Sequence, residues 1–174
     1  MDPKARMWPT DPEDARRAVD ETREPLFRFL FGMLGSREEA EDMLQETWLV
    51  AHREREKFRG ESALLTWLTG IALNLARRRI RRRRLERWLT LDIALFPARG
   101  ESAENEAIRQ EEAERVREAV GKLPAREREV LTMFDWEGLS HGEIAGLLGC
   151  AEGTVWSLLS RARANVRRRL EGER

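Results

Sequence analysis

Residues 140–170 read SHGEIAGLLGCAEGTVWSLLSRARANVRRRL, two short amphipathic stretches joined at a glycine. Ile144, Ala145 and Leu148 recur at three- and four-residue spacing and define the inner side of a first helix. Ser140 followed by Glu143 is the reciprocal capping signature that starts one. Gly149 supplies the tight turn that a side chain would obstruct, and Ala145 is small where the two helices must cross closely. Val155, Leu159, Ala162 and Val166 then form the stripe of a second helix. With that stripe turned inward, Thr154, Ser157, Ser160 and Arg161 point outward. The spacing predicts a helix-turn-helix whose second helix suits a duplex major groove. An arginine there can take guanine bidentately, and serines can meet bases or phosphates. Two packed helices with no ligand fit the same apolar pattern, so the surrounding sequence has to decide.

Working outward, the neutral total of 32 basic and 32 acidic residues in 174 conceals a segregation of sign. Residues 77–87 carry eight Arg against one Glu, residues 161–169 five Arg and no acid, and residues 101–118 seven Glu against three Arg. Single charge runs are usually solvated helix faces; two basic runs, each ending an amphipathic helix, point to a polyanion as well. With 41% hydrophobic residues, few glycines and prolines and no alternating β-branched runs, the chain reads as all-α. A lone Cys150 excludes an internal disulfide and a cysteine metal cluster, and fits a reducing compartment. No stretch reaches the length of a membrane span, and a cytoplasmic location is expected.

Upstream, Val19, Leu26, Phe27, Leu30, Phe31 and Leu34 keep helical spacing up to Gly35, a C-terminal cap. Ser36 and Glu39 make a second capping box. On the helix that follows, Met43, Leu44, Thr47, Trp48 and Ala51 share one face, and Asp42, Gln45, Glu46, Leu49 and Arg53 the other. A solvated surface and a partner-binding face both fit this second side. A loop around Phe58, Gly60 and Ser62 precedes a third helix with Trp67, Leu68, Ile71, Ala72 and Leu75 inside. Trp67, Asn74, Arg78 and Arg81 line one flank of it. Residues 88–112 lose periodicity and read as a flexible linker; Pro124 then sits where a helix N1 proline would, and Gly138 ends that helix. The expected layout is two small helical domains, 12–87 and 113–172, joined by linker 88–112.

Three stretches in order, AEDMLQETWLVAHREREKFRGESALLTWLTGIALNLARRRIRRRR (40–84), LPAREREVL (123–131) and GLSHGEIAGLLGCAEGTVWSLLSRAR (138–163), resemble the extracytoplasmic-function sigma factors, the small branch of the bacterial sigma-70 family. The resemblance covers about residues 24–170. It implies a transcription initiation factor that binds core RNA polymerase, recognises and melts promoter DNA, and needs no metal or cofactor. It implies that Asp42, Gln45, Glu46 and Leu49 dock on the β and β′ subunits. It implies that Phe58, Arg59, Ser62, Trp67 and Asn74 meet the melted minus-ten element, with Arg77, Arg78, Arg81 and Arg82 on phosphates. In the second domain, Thr154, Trp156, Ser157, Ser160 and Arg161 would face the minus-thirty-five duplex, with Arg163 and Arg126 near phosphates. It further implies a cognate anti-sigma factor, often membrane-bound. Trp156 and Leu158 depart from the family by standing where basic residues are usual. So does Arg78, for a usual Asp or Asn, and so do Leu64 and Leu65, for aromatics; Ala151 stands where Ser or Thr would cap the recognition helix.

Two readings from other classes compete. A sigma-like mimic that binds an anti-sigma factor without touching DNA has no use for the basic flanks. A one-component repressor would need a dimer face or ligand pocket in the first block, which the sequence does not offer. With His52 and His141 as the only histidines, no acid, base and nucleophile constellation assembles. Cys150 reads as a buried small hydrophobe and His141 as a surface residue near the start of its helix.

Overall fold

The computed structural model describes residues 8–9, 11–90 and 114–172. Helix α1 (Pro12–Leu34) begins at Asp11, whose carboxylate accepts from the amides of Glu13 and Asp14. It ends at Gly35, in the left-handed region at φ 72°, with the Gly35 amide donating to Phe31 O at 2.8 Å. Helix α2 (Arg37–Arg53) starts at Ser36, whose hydroxyl accepts from the Glu39 amide. Only this half of the expected capping box forms, because the Glu39 carboxylate turns to Arg79 and Arg83 instead. A 3-10 turn (Arg55–Lys57) and the loop through Gly60 lead to α3 (Leu64–Thr90). Helix α3 runs three residues into the stretch expected as linker; residues 91–112 of that stretch lie outside the described residues.

Leu26, Phe29, Leu30 and Met33 of α1, Ala40, Leu44 and Ala51 of α2, and Leu68, Ala72, Leu73 and Ala76 of α3 are all buried. Phe29, Met33, Leu73 and Ala76 lie outside the expected stripes, whose Val19, Phe27, Phe31 and Ile71 are only half-buried because the helices turn slightly to pack on one another. In the second half, helical residues 114–121 (α4) precede α5 (Ala125–Leu131). Pro124 is the residue before α5, one position short of the expected N1, and its missing amide costs no helical hydrogen bond there. Helix α5 continues as a π turn (Thr132–Trp136) and stops at Gly138, φ 73°. Helix α6 (His141–Leu148) carries the reciprocal Ser140–Glu143 box with both arms made, and Gly149 at φ 63° turns the chain into α7 (Glu152–Gly172). Val155, Leu159 and Ala162 are buried as expected, whereas Val166 is only half-buried. Cys150 is half-buried rather than buried; its amide donates to Ala145 O.

Among the described residues the architecture is all-α, and the apolar side chains of the two halves form one continuous cluster. The join is close because Gly32 of α1 has no side chain: a Cβ there would stand 2.1 Å from Trp136 Cζ3 and 2.7 Å from Thr132 Cγ2. Polar groups cross the same seam. Thr66 of α3 donates to Glu143 Oε1 at 2.6 Å, and Arg77 of α3 holds both oxygens of Glu129 at 2.7 and 2.8 Å. Arg117 lies over the Phe31 ring at 5.4 Å.

Glu137 meets Thr69 across the seam at 3.1 Å, while the Thr69 hydroxyl also lies 2.9 Å from Leu65 O. The one Thr69 proton is shared between the two acceptors, so it gives the Glu137 carboxylate only partial support against burial. Burial pushes the Glu137 carboxyl up to about 8, against 4.5 ordinarily, with Thr69 and Arg28 acting in the opposite direction. The folded chain therefore keeps a proton here that the unfolded chain releases. The stability this site contributes is complete below pH 4.5 and lost as pH rises through 8. Glu137→Gln should flatten that decline. In urea unfolding monitored by far-UV CD it should exceed wild type at pH 8.5, by on the order of a few kcal/mol, with the difference shrinking toward pH 5.

Candidate nucleic-acid interface

Two surfaces gather the side chains expected to meet nucleic acid, and the local helix phase decides which members of each arginine run belong to them. On α3, Asn74, Arg78 and Arg81 are exposed along one flank, with half-buried Trp67 at its start. Arg77, Arg79 and Arg83 point elsewhere. Arg79 and Arg83 both bind Glu39, at 2.9 and 2.8 Å, and Arg83 also donates to Leu34 O, capping the end of α1. Arg77 faces α5, where its bidentate bond to Glu129 raises its pKa further. In this arrangement, then, Arg77 is not presented with its neighbours. Arg82 is exposed.

The loop before α3 places its residues unequally. Phe58 is buried, its ring 5.3 Å from that of Trp67, so it forms a floor beneath the tryptophan. Arg59 is exposed, and Ser62 is half-buried with its hydroxyl donating to Ala63 O. Trp8 completes the group, 6.0 Å from Trp67, 6.3 Å from Trp48 and 6.3 Å from His52. No periodic pattern surrounds Trp8 in the sequence, so only the folded chain reveals it. On α2, Asp42, Gln45, Glu46 and Arg53 are exposed together with Leu49, which is 58% exposed. This is an acidic strip with one apolar side chain standing in it.

On α7, Thr154, Ser157, Ser160 and Arg161 are exposed on one side. The Ser157 hydroxyl donates to Gly153 O at 2.9 Å, and Arg161 lies 4.0 Å from Glu127. Arg163 binds Asp135, which raises its pKa, and Arg126 stands 3.6 Å from Glu129; both keep half or more of their surface exposed. Leu158 is buried, so its departure from a basic residue is a packing choice. Trp156 is not: it is 60% exposed. Glu143, which caps α6, is held below the usual carboxylate range first by the Thr66 hydroxyl and then by Ser140. Among the described residues no cluster of His, Cys, Asp and Glu could hold a metal ion, and no helix is long and apolar enough to cross a membrane.

Residues 18–86 match the family model for sigma-70 region 2, and residues 113–166 that for sigma-70 region 4. The chain is 35% identical over 143 residues to the RNA polymerase sigma-H factor of Pseudomonas aeruginosa, spanning 77% of this chain and 74% of that one. It is 33% identical over 145 residues to the ECF RNA polymerase sigma-E factor of Haemophilus influenzae, spanning 78% and 77%. Among solved structures, the sigma factor RpoE of Bartonella quintana, crystallised with the anti-sigma factor NepR, superposes with a TM-score of 0.74 at 26% identity, covering 93% of this chain and 99% of that one. CnrH, in complex with the cytosolic domain of CnrY, shares the fold with a TM-score of 0.71 at 24% identity, covering 95% and 92%.

The two kinds of arginine on α3 should separate in stability measurements. Arg77→Ala leaves Glu129, which is 4% exposed, with only the more distant Arg126 at 3.6 Å, and should lower the unfolding free energy by on the order of 2 kcal/mol. Arg81→Ala removes an exposed cation and should change it by less than about 0.5 kcal/mol. Urea midpoints at constant slope check both.

Proposed function

The chain belongs to the extracytoplasmic-function branch of the sigma-70 family, and we propose that its two halves divide promoter recognition between melted and paired DNA. The α2 strip of Asp42, Gln45, Glu46 and Leu49 docks on the β and β′ subunits of core RNA polymerase. An exposed leucine among carboxylates suits a partner that offers both cations and an apolar contact. The first half then opens the minus-ten element. Unstacking a base costs a few kcal/mol, which aromatic stacking and a cationic track offset. Trp67 on its Phe58 floor, with Asn74 alongside and Arg59 and Ser62 in the loop, supplies the former. Arg78, Arg81 and Arg82 supply the phosphate contacts.

Helix α7 reads the minus-thirty-five duplex through Thr154, Trp156, Ser157, Ser160 and Arg161, with Arg163 and Arg126 holding phosphates. The observation that carries the reading is selective exposure. The chain holds Arg77, Arg79 and Arg83 in ion pairs within the fold, yet leaves Asn74, Arg78 and Arg81 on one half and Ser157, Ser160 and Arg161, the last only at 4.0 Å from Glu127, facing outward on the other. A mimic that never meets DNA gives no reason for that. The two promoter elements lie about 25 base pairs apart, about 85 Å along the duplex. Halves in contact through Arg77 and Glu129 do not span such a distance, so engaging both elements requires the seam to part, which releases Arg77 to the phosphate track.

Because RpoE of Bartonella quintana was crystallised with an anti-sigma factor, we infer a cognate anti-sigma factor, soluble or membrane-bound, as a partner of this chain as well. Its work would be cytoplasmic, alongside polymerase, and it would contribute no catalytic group of its own.

Run-off transcription with sigma-free core polymerase tests the proposal, and promoter-specific transcripts are expected. Asn74→Ala should lower open-complex formation, read by permanganate reactivity, about tenfold while sparing core association. Arg161→Ala should instead weaken duplex binding by about 1–3 kcal/mol. Absence of both transcript and core association would leave the mimic reading standing.

A further inference from the structure

Trp156 is 60% exposed but not loose. Its indole stacks on the His141 imidazole with centroids 4.1 Å apart and planes 7° from parallel. His141 in turn lies 4.6 Å from Phe134, and the Arg163 guanidinium stands 5.4 Å from the Phe134 ring while bound to Asp135. The ladder crosses from the π turn, through the first residue of α6, onto the first turns of α7. One face of the indole is covered; the remainder faces outward beside Ser160, one helical turn further on. A ring already fixed by stacking loses little conformational freedom when it meets a ligand.

The neighbourhood says what kind of ligand. Arg163, on the side of α7 that carries Trp156, stays half exposed although bound to Asp135, and Arg161 is exposed further round the helix. With Glu152 one turn back, the ring sits in a surface of mixed charge whose cations suit a phosphate-flanked target. In the major groove, thymine alone among the four bases presents an apolar group, its 5-methyl. The face of an indole offers the amino group of cytosine or adenine only a weak N–H···π contact in place of the water it would lose. We propose that Trp156 is a specificity-determining residue that selects thymine in the duplex element by its methyl group, with His141 as the positioning residue that holds the ring. This deepens, and rests on, the reading of α7 as the duplex-reading helix.

Holoenzyme assembled from the full chain and bacterial core polymerase, offered duplexes randomised across the upstream element, tests it. Wild type should enrich thymine at one or more positions that Trp156→Ala leaves unselected. In the enriched duplex, replacing that thymine by deoxyuridine removes only the methyl and should weaken wild-type binding about fourfold, the value of one buried methyl, with no change for Trp156→Ala. His141→Ala should bring the thymine-to-deoxyuridine ratio toward one, and His141→Phe should restore it. Identical selection by wild type and Trp156→Ala, or equal binding of the two duplexes by wild type, overturns the assignment. Failure of the wild-type holoenzyme to enrich any duplex overturns the reading of α7 itself.

Discussion

Glu129 has almost no contact with solvent, and a carboxylate in that position is tolerable only while a cation sits against both of its oxygens. Arg77 is that cation, and it comes from the other half of the chain, 52 residues away. The pair therefore ties the fate of one half to the presence of the other. Two further acids at the same seam meet the cost of burial differently. Glu137 keeps its proton because burial raises its pKa to about 8 against the hydrogen bond from Thr69, whereas Glu143 stays ionised at the edge, supported by Thr66 and Ser140. Each of the three is compensated by a different chemistry, and α3 supplies the partner every time.

Helix α3 thus serves two surfaces at once. Its arginine run looks uniform as text, but a period of 3.6 residues sends Arg79 and Arg83 back to Glu39, Arg77 across to α5, and Arg78 and Arg81 outward. What resembles a single basic patch is one structural bracket, one clasp and one outward track.

Local patterns were legible where the physics is local. Gly35, Gly138 and Gly149 end helices in the left-handed region as their positions predict, and Ser140 with Glu143 closes a complete capping box. The inner faces of α6 and most of α2 and α7 follow from spacing alone, whereas α1 turns Phe29 and Met33 inward in place of Val19, Phe27 and Phe31. Other features depend on partners far away in sequence. Glu39 reads as a capping residue but is captured by arginines 40 and 44 positions later. Phe58 reads as a loop residue but is covered by Trp67, Trp8 stands outside any periodic pattern, and the π turn at Thr132–Trp136 has no signature of its own. The seam was illegible for the same reason: its acids look like ordinary surface charge until an opposing helix is laid against them.

Gly32 gives the seam an asymmetric mutational landscape. Any side chain at that position must displace the Trp136 ring, which belongs to the other half, while the residues that pack α1 against α2 and α3 need not change. A single missense step therefore strains the contact between the halves before it touches the packing within either one. Reversion to glycine restores the contact in one step, whereas compensation from the far side of the seam asks both Trp136 and Thr132 to give way.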